Sequence, residues 1–318
     1  MSGTLLTVGQ AALGLVLLYF GGEWLVRGAG ALAARLGVSP LAIGLTVVAF
    51  GTSAPELVVS LAAALDGASD IAVGNVVGSN IANIGLILGI AALIRKLEVH
   101  ANILRIDTPL MVAVSVLLLV LLADGGVDRT EGIGLALGLL AYIGFTLWQS
   151  RRETAATQAE FAAGTPLDHG PLWHQLLLVA GGLAALVGGG KVLVIAAVTT
   201  ATALGVSQAV IGLTIVAVGT SLPELAASIV ASLRGQGDIA LGNVVGSNIF
   251  NTLGILGITA MVTPLPRGEV DWVTLSAMLG FAVLLWPLAM SQRHLVRGEG
   301  ALLLTAYAAY IAYLAITA

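Results

Sequence analysis

The chain has 318 residues, of which 58% are hydrophobic and 9% are charged, with a net charge of −4 and a mean hydropathy of +1.02. A soluble core of this size would need a much larger polar surface, and the 13 Lys and Arg residues form no basic block, which excludes a soluble globular protein and a nucleic-acid partner. The absence of Cys excludes disulfides, thiolate metal sites and a thiol nucleophile.

Apolar stretches recur along the chain at about 20 residues or more, the length at which a helix spans a bilayer. Polar, Gly and Pro clusters separate ten predicted spans, at residues 5–36, 39–65, 71–94, 104–123, 131–149, 172–204, 207–233, 239–263, 271–290 and 299–316. The first and sixth are long enough to be strongly tilted. We therefore predict an all-α polytopic membrane protein surrounded by lipid, with no cofactor and no obvious protein partner.

The positions of Lys and Arg, which favour the cytoplasmic side, indicate how the spans are oriented. If the N-terminus lies outside, the cytoplasmic ends hold Arg27, Arg35, Arg95, Lys96, Arg105, Arg151, Arg152, Arg234, Arg293 and Arg297. The opposite side then keeps only Arg129 and Arg267. Both termini are therefore predicted on the extracellular or periplasmic side of the cell membrane.

The second half of the chain repeats the first at an offset of 168 residues, the separation of Glu56 from Glu224. "GTSAPELVVS" (51–60) matches "GTSLPELAAS" (219–228), and "DIAVGNVVGSNIAN" (70–83) matches "DIALGNVVGSNIFN" (238–251). Each half holds five spans, an odd number, so the second half must enter the membrane upside down, as in inverted-repeat transporters. We predict a first five-helix repeat at 1–149, a cytoplasmic linker at 150–171 and an inverted second repeat at 172–318.

The first motif of each half places a proline and a carboxylate inside an apolar span. Pro55 and Pro223 each remove a backbone hydrogen bond, so the second and seventh spans are predicted to be discontinuous and to offer carbonyls near 49–52 and 217–220 as ligands. Two hydroxyls and a glutamate share one helix face in each half: Thr52, Ser53 and Glu56, and then Thr220, Ser221 and Glu224.

The second motif of each half holds a serine and an asparagine four residues apart, Ser79 with Asn83 and Ser247 with Asn251. The surrounding glycines predict close approach or unwinding of the third and eighth spans, which are therefore predicted to be discontinuous as well. Symmetry predicts that all four motifs meet near mid-membrane. Helix packing is the alternative role for these four side chains. Other polar residues are expected to satisfy backbone groups or to cap helices: Asn75, Asn80, Asn243 and Asn248 for the former, Asp70 and Asp238 for the latter.

The ligands offered by these motifs are almost all oxygen atoms, which suit Ca²⁺, Na⁺, Mg²⁺ or Mn²⁺ and do not suit Zn²⁺ or Cu⁺. Mg²⁺ is disfavoured among them, because it loses its water reluctantly and requires near-ideal octahedral geometry. An Asp near the bilayer centre costs roughly 2.5–3.5 kcal/mol on insertion scales, so two facing carboxylates need compensation. One Ca²⁺ cancels two negative charges, as do two Na⁺ or two H⁺. Competition between these ions for one pair of glutamates is what antiport requires.

At these motifs the sequence resembles the cation/Ca²⁺ exchanger superfamily, and within it the Na⁺/Ca²⁺ exchanger branch in its short prokaryotic form. The resemblance covers essentially the whole chain and rests on the doubled G-T-S-x-P-E and G-N-V-V-G-S-N-I-x-N motifs. The H⁺/Ca²⁺ branch instead resembles G-N-x-x-E, and no acid stands at those positions here. The resemblance implies a Na⁺/Ca²⁺ antiporter that works by alternating access, is electrogenic and is not an enzyme.

The resemblance also implies ligands for each ion, carried over by motif position. Ca²⁺ would be held by Glu56 and Glu224 with help from the carbonyls of Thr52 and Thr220. Na⁺ would use the carbonyls of Ala49 and Ala217 and the oxygens of Thr52, Ser53, Thr220, Ser221, Ser79 and Ser247, while Asn83 and Asn251 would line the central position. Some relatives, including the K⁺-dependent ones, carry an acid at the position of Asn251. The absence of an acid at this position here argues against K⁺ co-transport.

Three other functions fit parts of the sequence. An H⁺-coupled Ca²⁺ or Mn²⁺ antiporter would use the same two glutamates as proton carriers. A channel is disfavoured because channels usually repeat around the membrane normal, and an intramembrane hydrolase because no His is placed beside the serines. Glu23 and Lys191, at matching positions of the two tilted spans, are interpreted as snorkelling side chains or members of an incidental ion pair rather than as gating residues.

Overall fold

The computed structural model describes residues 2–152, 171–204, 217–268, 270–290 and 293–317, and this part of the chain is almost entirely helical. The first half contains α1 Ser2–Leu36, α2 Pro40–Thr52, α3 Ala54–Leu65, α4 Ser69–Ile94, α5 Ile103–Ala123 and α6 Arg129–Arg151. The second half contains α7 Leu172–Ala203, α8 Ala217–Thr220, α9 Leu222–Leu233, α10 Gly237–Val262, α11 Trp272–Met290 and α12 Arg297–Thr317. Four short strands are β1 Leu97–Glu98, β2 Gly126–Val127, β3 Leu265–Pro266 and β4 His294–Leu295.

Helices of membrane-spanning length lie where the sequence predicted spans. Eight described helices are long and apolar enough to cross a bilayer, and the bent pair α2–α3 makes a ninth candidate. Of the predicted seventh span, residues 207–216 lie outside the described residues, and α8 and α9 form the remainder. Most of the linker predicted at 150–171 also lies outside them. Large apolar side chains such as Leu137 and Leu177 are exposed, as expected for a multi-pass membrane protein.

The proline-bearing span of each half breaks at the residue that precedes the new helix. α2 and α3 meet at a 45° bend around Ser53, whose φ and ψ are −83° and 6°. Ser221, between α8 and α9, has nearly the same φ and ψ of −87° and 7°. Pro55 and Pro223 stand in the first turn of the helix that follows, where a backbone N–H would have no intrahelical partner in any case. Each proline therefore starts a helix rather than kinking one.

The breaks predicted in the third and eighth spans are absent, since α4 and α10 both run without a gap. Each instead widens into a π-helical segment that begins at the motif asparagine, Asn83–Leu88 in α4 and Asn251–Ile255 in α10. These spans contain no proline, so every backbone N–H is retained. Each helix therefore changes the pairing of its backbone hydrogen bonds to the π-helical pattern and does not break into two helices.

The helix caps predicted at Asp70 and Asp238 are wrong. Ala68 and Gln236 are the N-cap residues, and each aspartate stands in the first turn, where it still faces the positive end of the helix dipole. A glycine in the left-handed region ends the turn before each helix and fixes this start: Gly67 has a φ of 78° and Gly235 a φ of 74°.

α4 and α10 form the centre of the molecule and are its most deeply buried spans among those described. A Cβ at Gly246 of α10 would lie 2.6 Å from the carbonyl oxygen of Leu45 in α2, so glycine is required for this close packing. Two antiparallel ladders join the halves, β1 with β4 and β2 with β3. At the 168-residue offset β1 corresponds to β3 and β2 to β4, so the two ladders repeat each other.

The two long helices α1 and α7 pack against each other along glycine-lined faces. A Cβ at Gly182 would lie 2.6 Å from the backbone nitrogen of Leu25 and 2.8 Å from the carbonyl oxygen of Gly21. A Cβ at Gly189 would lie 2.9 Å from the carbonyl oxygen of Gly14. Real side chains do not approach backbone atoms so closely, which means that these glycines allow the two helices to form a tight pair.

Candidate cation site

Two glutamates stand at the start of the helices that follow the breaks. Glu56 lies in the first turn of α3 and Glu224 in the first turn of α9, and each is 1% exposed. The positive end of a helix dipole stabilises such a carboxylate by about 0.3–1 kcal/mol, whereas its burial costs several kcal/mol. The two buried acids therefore need further positive charge.

Serine hydroxyls connect these glutamates across the two halves of the chain. Ser53 Oγ donates a hydrogen bond to Glu224 Oε1 at 2.8 Å, and Ser221 Oγ donates to Glu56 Oε1 at 3.0 Å. Ser221 Oγ also lies 3.5 Å from Ser79 Oγ of α4. Because each serine stands three residues before the glutamate of its own half, these crossed bonds bring both carboxylates into one site.

Asparagines on α4 and α10 form a second crossed network. Asn83 Nδ2 donates to Asn248 Oδ1 at 2.9 Å, and Asn251 Nδ2 donates to Asn80 Oδ1 at 3.1 Å. Asn248 Nδ2 donates in turn to the carbonyl oxygen of Asn80 at 3.2 Å. These bonds orient the amides of Asn83 and Asn251 through their nitrogens and leave their oxygens for another partner.

Two further asparagines hold the main chain of the glutamates. Asn75 Nδ2 donates to the carbonyl oxygen of Glu56 at 3.2 Å, and Asn243 Nδ2 donates to that of Glu224 at 3.3 Å. The expectation that these asparagines satisfy backbone groups is therefore confirmed. They position the glutamates without using the carboxylates.

Five buried oxygen atoms at the predicted ligands have no hydrogen-bond partner among the described residues: Glu56 Oε2, Glu224 Oε2, Asn83 Oδ1, Asn251 Oδ1 and Ser247 Oγ. An unsatisfied buried polar group costs about 1–3 kcal/mol, and a charged one costs more. Carboxylate and amide oxygens accept hydrogen bonds but cannot donate them, so they cannot satisfy one another, whereas a cation can satisfy several at once. This set of oxygens fits Ca²⁺ or Na⁺.

The hydroxyl groups of the two first-motif threonines also lie near the carboxylates. Thr52 Oγ1 lies 3.1 Å from Asn243 Oδ1 and also interacts with Glu224. Thr220 interacts with Glu56 in the corresponding way. In the described part of the chain no three His, Cys, Asp or Glu side chains cluster together, so a cation here would be held by two acids and neutral oxygens.

The alanine carbonyls predicted as ligands differ between the halves. The carbonyl oxygen of Ala49 accepts the N–H of Ser53 at 3.1 Å. In the second half the N–H of Ser221 bonds to the carbonyl oxygen of Val218 at 3.2 Å, and not to that of Ala217. An ion at Ala49 would share the carbonyl with a backbone donor.

Two polar contacts outside the motifs were not predicted. Asp107 is 4% exposed and is the last residue of the π-helical segment with which α5 begins. It accepts a hydrogen bond from Tyr142 of α6 at 3.1 Å. Arg234, just after α9, forms an ion pair with Glu23 of α1, and its Nε lies 2.7 Å from Glu23 Oε1. This hydrogen bond, and then the negative charge of Glu23, raise the pKa of Arg234. The sequence signal for both contacts was an acid within a predicted span.

Known proteins resemble this chain over its whole length. The family model described as sodium/calcium exchanger protein matches residues 6–150 and again residues 174–316. The inner membrane protein YrbG of Escherichia coli is 39% identical, with 98% of this chain and 97% of that protein covered. The sodium/calcium exchanger MaX1 of Methanosarcina acetivorans is 34% identical, with 95% and 96% covered. A solved structure of the sodium-calcium exchanger NCX_Mj superimposes with a TM-score of 0.85 at 34% identity, covering 97% of this chain and 98% of that one.

Proposed function

This chain belongs to the sodium/calcium exchanger protein family, and from that premise we propose that it exchanges Na⁺ for Ca²⁺ across the membrane by alternating access. It is a multi-pass membrane antiporter of the cation/Ca²⁺ type and not an enzyme, because its relatives are exchangers. Ca²⁺ and Na⁺ are the ions after which the family is named. Coupling to Na⁺ and the ligands of each ion are the specific parts of this proposal.

The crossed bonds between the serine of one half and the glutamate of the other carry the proposal. They connect the two carboxylates, each of which keeps one buried oxygen without a partner in the described part of the chain, and the unpartnered oxygens of Asn83, Asn251 and Ser247 support the same proposal. We assign Ca²⁺ to the carboxylates, which supply the two negative charges that it requires, and Na⁺ to the neutral oxygens around them. The proposed ligand set is Glu56, Glu224, Thr52, Thr220, Ser53, Ser221, Ala49, Ala217, Ser79, Ser247, Asn83 and Asn251.

The charge of the site makes the two ions competitors. One Ca²⁺ or two Na⁺ compensate the two carboxylates, so the site does not hold both loads at once. A third Na⁺ bound by neutral oxygens would make each cycle move one net charge. One charge crossing 100 mV corresponds to about 2.3 kcal/mol, which is equivalent to a concentration ratio of roughly fifty. A negative interior would then help to drive Ca²⁺ out.

The proposed architecture is a pair of inverted five-helix repeats, 1–149 and 172–318, joined by a cytoplasmic linker at 150–171. The breaks at Ser53 and Ser221, the π-helical segments and the two corresponding strand ladders support it. The helices that contribute to the site are α2–α3 and α8–α9, which are broken, and α4 and α10, which are continuous. Both termini would lie on the extracellular or periplasmic side, opposite most Lys and Arg residues.

Proteoliposomes loaded with Ca²⁺ test this function directly. External Na⁺ should drive Ca²⁺ efflux, external choline should not, and an inside-negative potential should accelerate the efflux. If Na⁺ drives no efflux, the proposal is wrong. Efflux driven by a pH gradient without Na⁺ would favour the H⁺-coupled Ca²⁺ or Mn²⁺ antiporter, and Na⁺-driven efflux insensitive to voltage would refute electrogenic exchange.

A further inference from the structure

The two halves make different contacts with the long helices α1 and α7. α1 packs along α9, as the surroundings of Gly22 show. A Cβ at Gly22 would lie 2.8 Å from Val230 Cγ2 and 3.3 Å from the carbonyl oxygen of Ala226. Gly190 occupies the corresponding position of α7, and a Cβ there would lie 3.5 Å from Leu222 Cβ, at the start of α9. α7 therefore does not lie along α3 in the way that α1 lies along α9.

Corresponding side chains of α3 and α9 differ in exposure as a result. Val230 of α9 is 3% exposed beneath α1, whereas its counterpart Ala62 of α3 is exposed. Val58, one turn earlier, is 67% exposed, whereas its counterpart Ala226 is half-buried. Asp66, one turn later, is exposed, as is its counterpart Arg234. These three residues are four apart and share one side of the helix. We call Val58, Ala62 and Asp66 the open face of α3.

The charges at the ends of these helices follow the same asymmetry. Glu23 of α1 is paired with Arg234, with side chains 12% and 54% exposed. At the 168-residue offset Glu23 corresponds to Lys191 of α7, and Arg234 corresponds to Asp66. Lys191 and Asp66 are both exposed, and neither forms an ion pair within the described residues. Asp66 is the C-cap residue that follows α3, and its φ and ψ of −80° and 3° are close to the −77° and −5° of Arg234, the C-cap residue of α9.

We propose that Lys191 and Asp66 form an ion pair in the opposite-facing state, when α7 lies along the open face of α3, and that the Glu23–Arg234 pair opens as it forms. This inference rests on alternating access, part of the proposed function. In a transporter built from inverted repeats, alternating access is largely a rocking of one repeat or bundle against the other around the site. Because the repeats are related by a pseudo-two-fold axis in the membrane plane, we infer that the two halves exchange roles between the states. The α1–α9 contact then becomes an α7–α3 contact, with Gly190 against Ala62.

The exchange of charge between the halves supports this pairing. The sign of the charge changes at both positions between the repeats, since Glu23 corresponds to Lys191 and Arg234 to Asp66. The pairs Glu23–Arg234 and Lys191–Asp66 nevertheless both combine opposite charges. The alternative pairs, Glu23 with Asp66 and Lys191 with Arg234, would place like charges together and be disfavoured. The charges therefore specify which long helix meets which helix end.

Each ion pair would stabilise one state modestly. Exposed ion pairs change an equilibrium by about two- to fivefold, which biases the two states without locking either. If Arg234 lies at the cytoplasmic end, as the distribution of Lys and Arg predicts, the Glu23–Arg234 pair closes the cytoplasmic side. Lys191 and Asp66 would then close the opposite side.

Cysteine cross-linking tests the exchange, because the chain has no Cys to give background. One full-length variant carries Glu23→Cys with Arg234→Cys, a second carries Asp66→Cys with Lys191→Cys, and a third carries all four changes. With a short bifunctional thiol reagent in membranes, both pairs should cross-link, and each molecule of the third variant should carry one cross-link but not both. Mass spectrometry of the digested protein distinguishes the products.

A matched control combines Asp66→Cys with Leu193→Cys. Leu193 is about half a turn from Lys191 and faces α1, where its Cβ lies 2.9 Å from the position of a Cβ at Gly14. This control should not cross-link. The inference is overturned if the variant with Asp66→Cys and Lys191→Cys transports ions while its cysteines are reduced but never cross-links when the reagent is added. It is also overturned if single molecules of the third variant carry both cross-links. A parent protein with no Na⁺-driven Ca²⁺ exchange would instead refute the proposed function, and the cross-linking would still decide whether the pairs exchange.

Charge reversal provides a second measurement. Lys191→Glu places like charges at the proposed contact and should slow turnover by about two- to fivefold. Adding Asp66→Lys should restore turnover, since it recreates the pair with opposite sign. A purely structural role for Lys191 would show no such rescue, and a double variant as slow as the single one would count against the pair.

Discussion

Glu224→Gln tests the cation site most directly, because it removes one charge and preserves the shape of the side chain. Glu224 Oε1 accepts a hydrogen bond from Ser53 at 2.8 Å, and a glutamine oxygen can keep that bond. The glutamine nitrogen then replaces Oε2, the oxygen without a partner among the described residues. It would direct N–H groups toward the proposed cation, so the variant loses a charge and a ligand but little packing.

The expected loss of Ca²⁺ affinity is large. Removing one partner of a buried charge pair costs about 3–5 kcal/mol, and each 1.4 kcal/mol is a tenfold change in binding. Ca²⁺ affinity, measured by isothermal titration calorimetry in detergent, should therefore fall by at least about 100-fold. Na⁺-driven Ca²⁺ efflux from proteoliposomes should fall with it. The protein should still fold, because a buried charge has been removed, but Ca²⁺ should no longer raise its unfolding temperature.

Two matched variants complete this experiment. Glu56→Gln should lose binding to a similar extent, because Ser221 holds Glu56 as Ser53 holds Glu224. Asp124→Asn removes an exposed carboxylate at the end of α5 and should change neither binding nor transport. Ca²⁺ affinity and transport within about threefold of the parent in Glu224→Gln would refute the assignment of the carboxylates.

Three further changes test other parts of the structure. Gly182→Ala should lower the thermal unfolding temperature in detergent, because its Cβ would lie 2.6 Å from the α1 backbone, whereas Gly181→Ala, with nothing within 4 Å, should not; equal effects would contradict the close packing. Tyr142→Phe should reduce the free energy of unfolding by about 1–3 kcal/mol, because Asp107 loses a buried donor at 3.1 Å; an unchanged denaturation midpoint would count against this contact. Asn251→Asp should make Ca²⁺ transport more sensitive to pH by adding a titratable acid, and an unchanged pH profile would remove Asn251 from the proposed site.

The spans and the two breaks could be predicted because their causes are local. Long apolar stretches require helices in a membrane, and Pro55 and Pro223 each lack the N–H that would continue one. The glycine-rich third and eighth spans were harder to predict, since glycine permits unwinding without requiring it. Their backbone donors remain paired through π-helical turns at Asn83 and Asn251, and this choice depends on tertiary packing rather than on sequence spacing.

The ligand candidates could be named from the sequence, but their partners could not. Spacing placed Ser53 on the same face as Glu56 of its own helix, whereas the structure bonds it to Glu224 of the other half. Likewise, Asn83 and Asn251 bond to asparagines of the opposite helix. Which half supplies the donor is set by how the helices cross, and no periodicity within one helix contains that information.

The centre of the molecule is nearly symmetric, and the contacts of its two long helices are not. The crossed serine–glutamate bonds of the two halves measure 2.8 and 3.0 Å, and the asparagine bonds to the glutamate carbonyls measure 3.2 and 3.3 Å. If the halves exchange roles between states, Glu56 takes the place of Glu224 and the ligand set is mapped onto itself. The ion then has similar affinity in both states, while the unequal contacts of α1 and α7 change which side is closed. A ligand that binds two states equally does not shift their equilibrium, so the bound ion would leave the balance between the states to the contacts of α1 and α7.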